Sequence, residues 1–223
     1  MSDLLPLFPL PNVVLFPNVF LPLHIFEPRY REMVADALSS DRLIGMVLLK
    51  PGWEHEYEAR PAVYPIGCSG LITHVDRLDD GRYNVVLRGV ERFRIVQEDH
   101  ARSYRRASVE ALTERALATE DRDALRRQRS RLEVLLAPAI EREAQQATTR
   151  ASESRVGAEL IIPSGMADEE LVNALSQYLD LEPVEKQALL ERQGLRSRAE
   201  SLVELLEMKM MLGRTAGTPR LAH

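Results

Sequence analysis

The chain has 223 residues, enough for one large domain or two small ones, and its 45% hydrophobic content supports a packed core over disorder. A net charge of −5 argues against a general nucleic-acid binder, which ordinarily carries a basic domain. Cys68 stands alone, so no intrachain disulfide framework is available; a reducing, cytoplasmic setting and a buried thiol are the expectations.

From Leu4 to Phe26 there is no Asp, Glu, Lys or Arg, a length that could cross a bilayer. Pro6, Pro9, Pro11, Pro17 and Pro22 all fall inside it, and each interior proline costs a helix about 3 kcal/mol. With Asp3 in place of a basic cluster, a signal peptide is also disfavoured. The stretch reads instead as buried strands joined by proline-set bends: Leu4–Phe8, Asn12–Leu15 and Val19–Ile25. Pro28 then opens a helix whose apolar face is Tyr30, Met33, Val34, Ala37 and Leu38, ended by Ser39-Ser40-Asp41.

Leu43–Leu49 predicts another strand, and Lys50–Arg60 a polar loop carrying Trp53, His55 and Tyr57. Val63–Val75 is strand-rich, with Gly67 and Gly70 at positions suited to bulges or corners. Asp79-Asp80-Gly81 is a hairpin turn. Tyr83–Val90 returns from it, Gly89 permits a kink before Phe93–Val96, and Tyr104–Leu112 closes the β region. These short strands with glycine-marked corners and one early helix predict an α+β chain that opens with a small, closed or half-closed barrel.

Beyond Thr113 helical patterns take over. Leu125, Leu132, Leu135 and Leu136 form one stripe; Leu171, Val172, Leu175, Tyr178 and Leu179 form a second, entered from Asp168. Pro183 starts a third helix ended by Gly194, and Ala199, Leu202, Leu206 and Met210 mark a fourth, stopped at Gly213. The expected division is therefore 1–115 for the β part, 116–213 for a helical bundle and 214–223 for a flexible tail.

Signatures of catalysis are missing from this sequence. It has no G-x-x-x-x-G-K-[ST], no G-x-S-x-G and no H-E-x-x-H; His55-Glu56-Tyr57-Glu58 lacks the second histidine of a zinc face. The histidines His24, His55, His74, His100 and His223 are scattered, and Glu56 with Glu58, or Asp79 with Asp80, sit in loops where solvated charge is expected. No cofactor or metal is expected. Arg82, Arg88, Arg92, Arg94, Arg102, Arg105 and Arg106, interleaved with Tyr83, Phe93 and Tyr104, offer an RNA-binding alternative. The outward face of a half-buried sheet must be polar in any case, and that reading is preferred.

Leu4-Pro-Leu-Phe-Pro-Leu-Pro-Asn-Val-Val-Leu-Phe-Pro17 and Leu21-Pro-Leu-His-Ile-Phe-Glu-Pro-Arg-Tyr30 closely resemble the opening of the N-terminal domain of Lon-type ATP-dependent proteases, and most of all the bacterial stand-alone proteins that carry only that domain. The resemblance continues through Gly67-Cys68, Asp80–Asn84, Leu87–Arg94, Glu169–Asn173 and Leu181–Gln187, so it covers about Leu4 to Leu212. It implies a PUA-like β-barrel followed by a helical bundle, and a non-catalytic, peptidase S16-like module that binds protein substrates without ATPase or protease domains of its own. Phe26, Glu27, Pro28, Gly67, Arg88, Gly89, Arg92 and Phe93 are its structural residues, with Glu27 expected to pair with Arg88 or Arg92. Arg29, Tyr30, Trp53 and Tyr57 are the expected peptide contacts. Unfolded or hydrophobic protein segments are the expected partners, with a separate protease as a candidate; an enzyme of another type is the remaining reading.

Overall fold

The structure is a computed structural model, and it describes residues 4–55, 60–114, 118–150 and 166–213. The chain is a mixed α+β protein of two compact units, one holding 1–114 with Leu181–Glu191, the other 115–180 with 192–223.

In the first unit the strands are β1 (Leu5–Leu10), β2 (Phe20–Ile25), β3 (Leu43–Leu48), β4 (Ile66–Arg77), β5 (Tyr83–Asp99) and β6 (Arg105–Ala111), with helix α1 (Pro28–Leu38) between β2 and β3. Their order is β2-β5-β4-β3-β1-β6, and β6 pairs back onto β5, so five of the strands close into a ring with β2 attached to β5. Only β1 and β3 run parallel; the remaining pairs are antiparallel.

The expected strands Tyr83–Val90 and Phe93–Val96 are one continuous strand, β5. Three irregularities bend the β4–β5–β6 ladders. Opposite Ser69/Gly70 the register skips Val90, opposite Leu87/Val86 it skips Thr73, and opposite Val109/Ser108 it skips Val96. An unpaired extra residue raises local twist and turns a strand. The bends let one end of β5 pair with β2 and the other with β6. Val90 and Val96 are consequently exposed despite their apolar side chains.

Asn12–Leu15, expected as a strand, is connecting chain outside any strand. Its Val14 and Leu15, and Phe16 just after them, are nevertheless buried. Pro11 and Pro17 remove backbone donors around it, so no ladder forms. The connection is tied down by Asn18 N donating to Gly89 O at 2.9 Å and Gly89 N donating to Val19 O at 2.8 Å. A Cβ on residue 89 would run into the Phe16 carbonyl, so glycine is what allows the proline-punctuated segment to lie against β5.

Leu7, Val47, Phe93 and Ala107 form a buried cluster from four ring strands, extended by Leu5, Val63, Ile95 and Val109. Phe93 needs Gly67 opposite it: a Cβ there would strike the Met46 carbonyl and the Phe93 ring. Cys68, next in β4, is fully buried. On α1 the face Tyr30, Met33, Val34 and Ala37 is buried, as the spacing predicts, and the Tyr30 ring lies 4.5 Å from Phe8.

Helix α2 (Thr119–Arg150), α3 (Asp168–Tyr178), α4 (Pro183–Glu191) and α5 (Leu195–Gly213) follow. Helix α4 belongs to the strand unit, although the sequence grouped it with the other late helices. Gln187 Nε2 donates to Ile66 O at 2.9 Å, and Arg92 Nη1 donates to Leu190 O at 2.9 Å. A guanidinium at the last carbonyls of a helix also complements its dipole.

The second unit contains α2, α3 and α5. Leu125, Leu132 and Leu136 of α2, Leu171, Val172 and Leu175 of α3, and Leu202, Val203 and Leu206 of α5 are its buried apolar residues. Arg198 is fully buried and donates to Asn173 Oδ1 at 2.8 Å. Ion pairs Arg129–Asp168 at 2.9 Å, Arg196–Asp121 at 3.0 Å and Arg131–Glu207 at 2.5 Å link the helices. Met208, Met211 and Leu212 at the end of α5 are exposed. Among the described residues no helix is long and apolar enough to cross a membrane. The expected tail, 214–223, lies outside the described residues.

Candidate functional site

A small cleft in the strand unit is lined by Pro9, Arg29, Tyr30, Leu49, Arg60, Pro61, Ser103, Tyr104 and Arg105. Proline at the first position of α1 sets the helix start, which places Arg29 and Tyr30 at the cleft in the first turn. Leu49 ends the chain that enters the 50–59 connection, Arg60 begins the chain that leaves it, and a bridge between Leu49 and Val63 pins the two. Tyr104 and Arg105 enter β6.

Arg29 lies 2.9 Å from Glu27 and 4.7 Å over the Tyr30 ring. Arg105 Nη2 donates to Pro61 O at 2.5 Å, and its Nη1 lies 3.5 Å from Glu98. Burial pushes the Arg105 guanidinium below its ordinary pKa; Glu98 opposes this, and the charges of Arg60 and Arg29 push it further down. Tyr104 donates to Asp36 Oδ2 at 2.6 Å, and burial together with that carboxylate raises the phenol to about 12. Ser103 donates to Glu32 at 2.6 Å, and Arg102 faces Glu32 and Asp36 at 3.6 and 3.7 Å.

Of the expected peptide contacts, Arg29 and Tyr30 line this cleft. Trp53 sits on a short 3-10 turn, Trp53–His55, within the connection that joins Leu49 to Arg60. Tyr57 lies outside the described residues. The sequence offers Arg105 only within the arginine run of the RNA-binding alternative, and Arg60 only as the end of a polar loop. The one local signal at Arg60, a left-handed backbone with φ of 63°, is invisible in a sequence.

Where the expectation is a pair of Glu27 with Arg88 or Arg92, the ion pairs seen join other partners. Glu27 takes Arg29, two residues away, and Arg92 takes Glu114 at 3.0 Å. Arg92 is buried and turned toward α4, whereas Arg88 is exposed on β5. Phe26 is also exposed, its ring stacked 6.2 Å from His24.

The Arg82–Arg106 run does not form one basic face. Arg92 and Arg105 are buried. Arg82 pairs with Asp80 at 2.6 Å, Arg106 pairs with Asp99, and Arg102 faces Glu32 and Asp36. Among the described residues no group of three or more His, Cys, Asp or Glu is arranged to hold a metal ion. The cleft gathers guanidiniums and phenols, which suits binding an anion or a peptide more than proton transfer.

The model of the family described as the ATP-dependent protease La (LON) substrate-binding domain matches residues 4–208. Lon protease 2 of Myxococcus xanthus is 26% identical over 208 residues, covering 93% of this chain and 24% of that protein. Lon protease of Anaeromyxobacter dehalogenans is 25% identical over 206 residues, covering 92% and 23%. The chain thus spans about a quarter of the length of these curated relatives. Among solved structures, the N-terminal domain of the Mycobacterium avium complex Lon protease superposes with a TM-score of 0.62 at 18% identity, covering 92% of this chain and 98% of that one. A Lon N-terminal domain protein from Xanthomonas campestris gives 0.57 at 23% identity, covering 90% and 97%. Both share the mixed α+β fold.

Proposed function

This chain belongs to the Lon substrate-binding domain family, and from that premise we propose that it is a non-catalytic module that holds unfolded or hydrophobic segments of protein substrates. The observation that carries the reading is the family match, which runs through both units from residue 4 to 208. We read the ring of strands as a PUA-like small barrel and α2, α3 and α5 as its accompanying bundle. Arg29, Tyr30, Trp53 and Tyr57 are the proposed contacts: aromatic and arginine side chains supply much of the energy at protein interfaces. A separate protease acting on the held segment, in the cytoplasm of a bacterium, completes the proposal.

Fluorescence anisotropy tests it directly. A labelled, reduced and carbamidomethylated protein that cannot refold is titrated with the full chain, and its native form serves as the control. Binding of the unfolded form alone is expected, weakened about tenfold in Trp53→Ala, the loss expected of a hot-spot aromatic. Equal binding of both forms, or of neither, would overturn the reading.

A further inference from the structure

Three guanidiniums meet at the cleft from separate parts of the strand unit. Arg29 comes from the first turn of α1, Arg60 from the end of the 50–59 connection and Arg105 from the start of β6. Like charges held this close repel unless each has a counter-charge. Two carboxylates are supplied: Glu27 lies on Arg29 at 2.9 Å, and Glu98 lies 3.5 Å from Arg105. Arg60 has no carboxylate among the described residues. Its guanidinium is held by the carbonyls of Asp99 and Arg102, at 3.5 and 2.7 Å, and by His100 Nδ1 at 2.6 Å.

Among the described residues, the neighbouring acids Asp99, Glu32 and Asp36 are engaged by other groups. The Asp99 carboxylate pairs with Arg106, and Glu32 and Asp36 are taken by Arg102, Ser103 and Tyr104. Among the described residues one positive charge is therefore left over at a cleft walled by Tyr30, Pro61 and Tyr104. Arg60 is also held with a positive φ, a conformation costly to a side-chain-bearing residue and retained where the surroundings impose it.

We propose that this cleft receives a carboxylate of the bound peptide, either an Asp or Glu side chain or a free C-terminus, with Arg60 as its direct partner. The proposal rests on the peptide-binding reading above. A guanidinium presents planar, forked donors that match a carboxylate, and charge-assisted bonds of this kind are about twice as strong as neutral ones. The rigid rings beside it offer the flanking peptide atoms an apolar surface at little entropic cost. Burial and the charges of Arg60 and Arg29 already depress the Arg105 pKa, and an incoming anion relieves that repulsion.

The test uses labelled peptides of one apolar sequence with Glu or Gln at the centre, each with a free or an amidated C-terminus. They are titrated against the full chain and against Arg60→Gln, whose thermal midpoint confirms that it is folded. A carboxylate-bearing peptide should bind about tenfold more tightly than the uncharged one. Arg60→Gln should abolish that preference, and the peptide that gains affinity identifies the source of the carboxylate. Equal binding of all four peptides, or a preference that survives Arg60→Gln, overturns the proposal. If an unfolded protein binds without any such preference, this site falls while the peptide-binding reading stands. If no peptide binds, an NMR titration with N-acetylglutamate reads the cleft by itself. Shifts at the Arg60 Nε–H support a carboxylate site, and an unmoved resonance overturns it.

Discussion

The strand unit and the helical unit hold themselves together in different ways. In the strand unit single residues act at single places: Gly89 admits the Phe16 carbonyl, Gly67 makes room for Phe93, and Arg92 binds α4 through the Leu190 carbonyl. In the helical unit leucines recur along α2, α3 and α5, and several arginine–carboxylate pairs lie around them. The difference teaches where substitution is costly. Close backbone approach and a buried charge have few substitutes, whereas a repeated apolar stripe tolerates exchange and exposed ion pairs contribute little.

The largest effect is expected from Arg92→Ala. The ion pair with Glu114 would be lost, and α4 would lose one of its ties to the strands. Breaking a buried pair in this way costs about 3–5 kcal/mol. Urea denaturation measures the loss, and faster amide exchange at residues 181–191 localises it. An unaltered midpoint would put the anchoring of α4 elsewhere.

Gly89→Ala comes next, at about 1–3 kcal/mol, because the new methyl must displace the Phe16 backbone. Calorimetry of this variant beside Ala199→Gly, a buried position within α5, sharpens the comparison, since the helical change should cost about 1 kcal/mol through helix propensity. The smallest effect belongs to Arg131 and Glu207, whose side chains are partly exposed at the helix surface. A double-mutant cycle should return less than about 1 kcal/mol, falling with added salt.

Much of this architecture is legible in the residues. Prolines, with Ser39-Ser40-Asp41 after the helix, marked the limits of β1, β2 and α1 to within a residue or two, because they act on the local backbone. The bulges at Thr73, Val90 and Val96 were not legible, since they arise from ring closure between strands distant in sequence. The home of α4 was hidden for a related reason: periodicity tells which face of a helix is apolar, not which surface receives it. The site divides in the same way. Arg29 and Tyr30 stood out beside Pro28, but Arg60 and Arg105 are 45 positions apart and meet only once β6 has joined β1 and β5.

The placement of α4 carries a consequence for how the polypeptide can be divided. The chain leaves the strand unit after Glu114, builds most of the helical unit, returns for Leu181–Glu191 and then departs again to supply α5. The helical unit is thus assembled from two separated stretches, and the strand unit likewise. A cut after residue 114 would not yield an intact half: it would strip Arg92 of the carbonyl that receives it and leave Ile66 without the amide of Gln187. Both halves remain whole only when the genetic message is kept through the end of α5, so during synthesis the ring of strands waits on a segment translated almost seventy residues later.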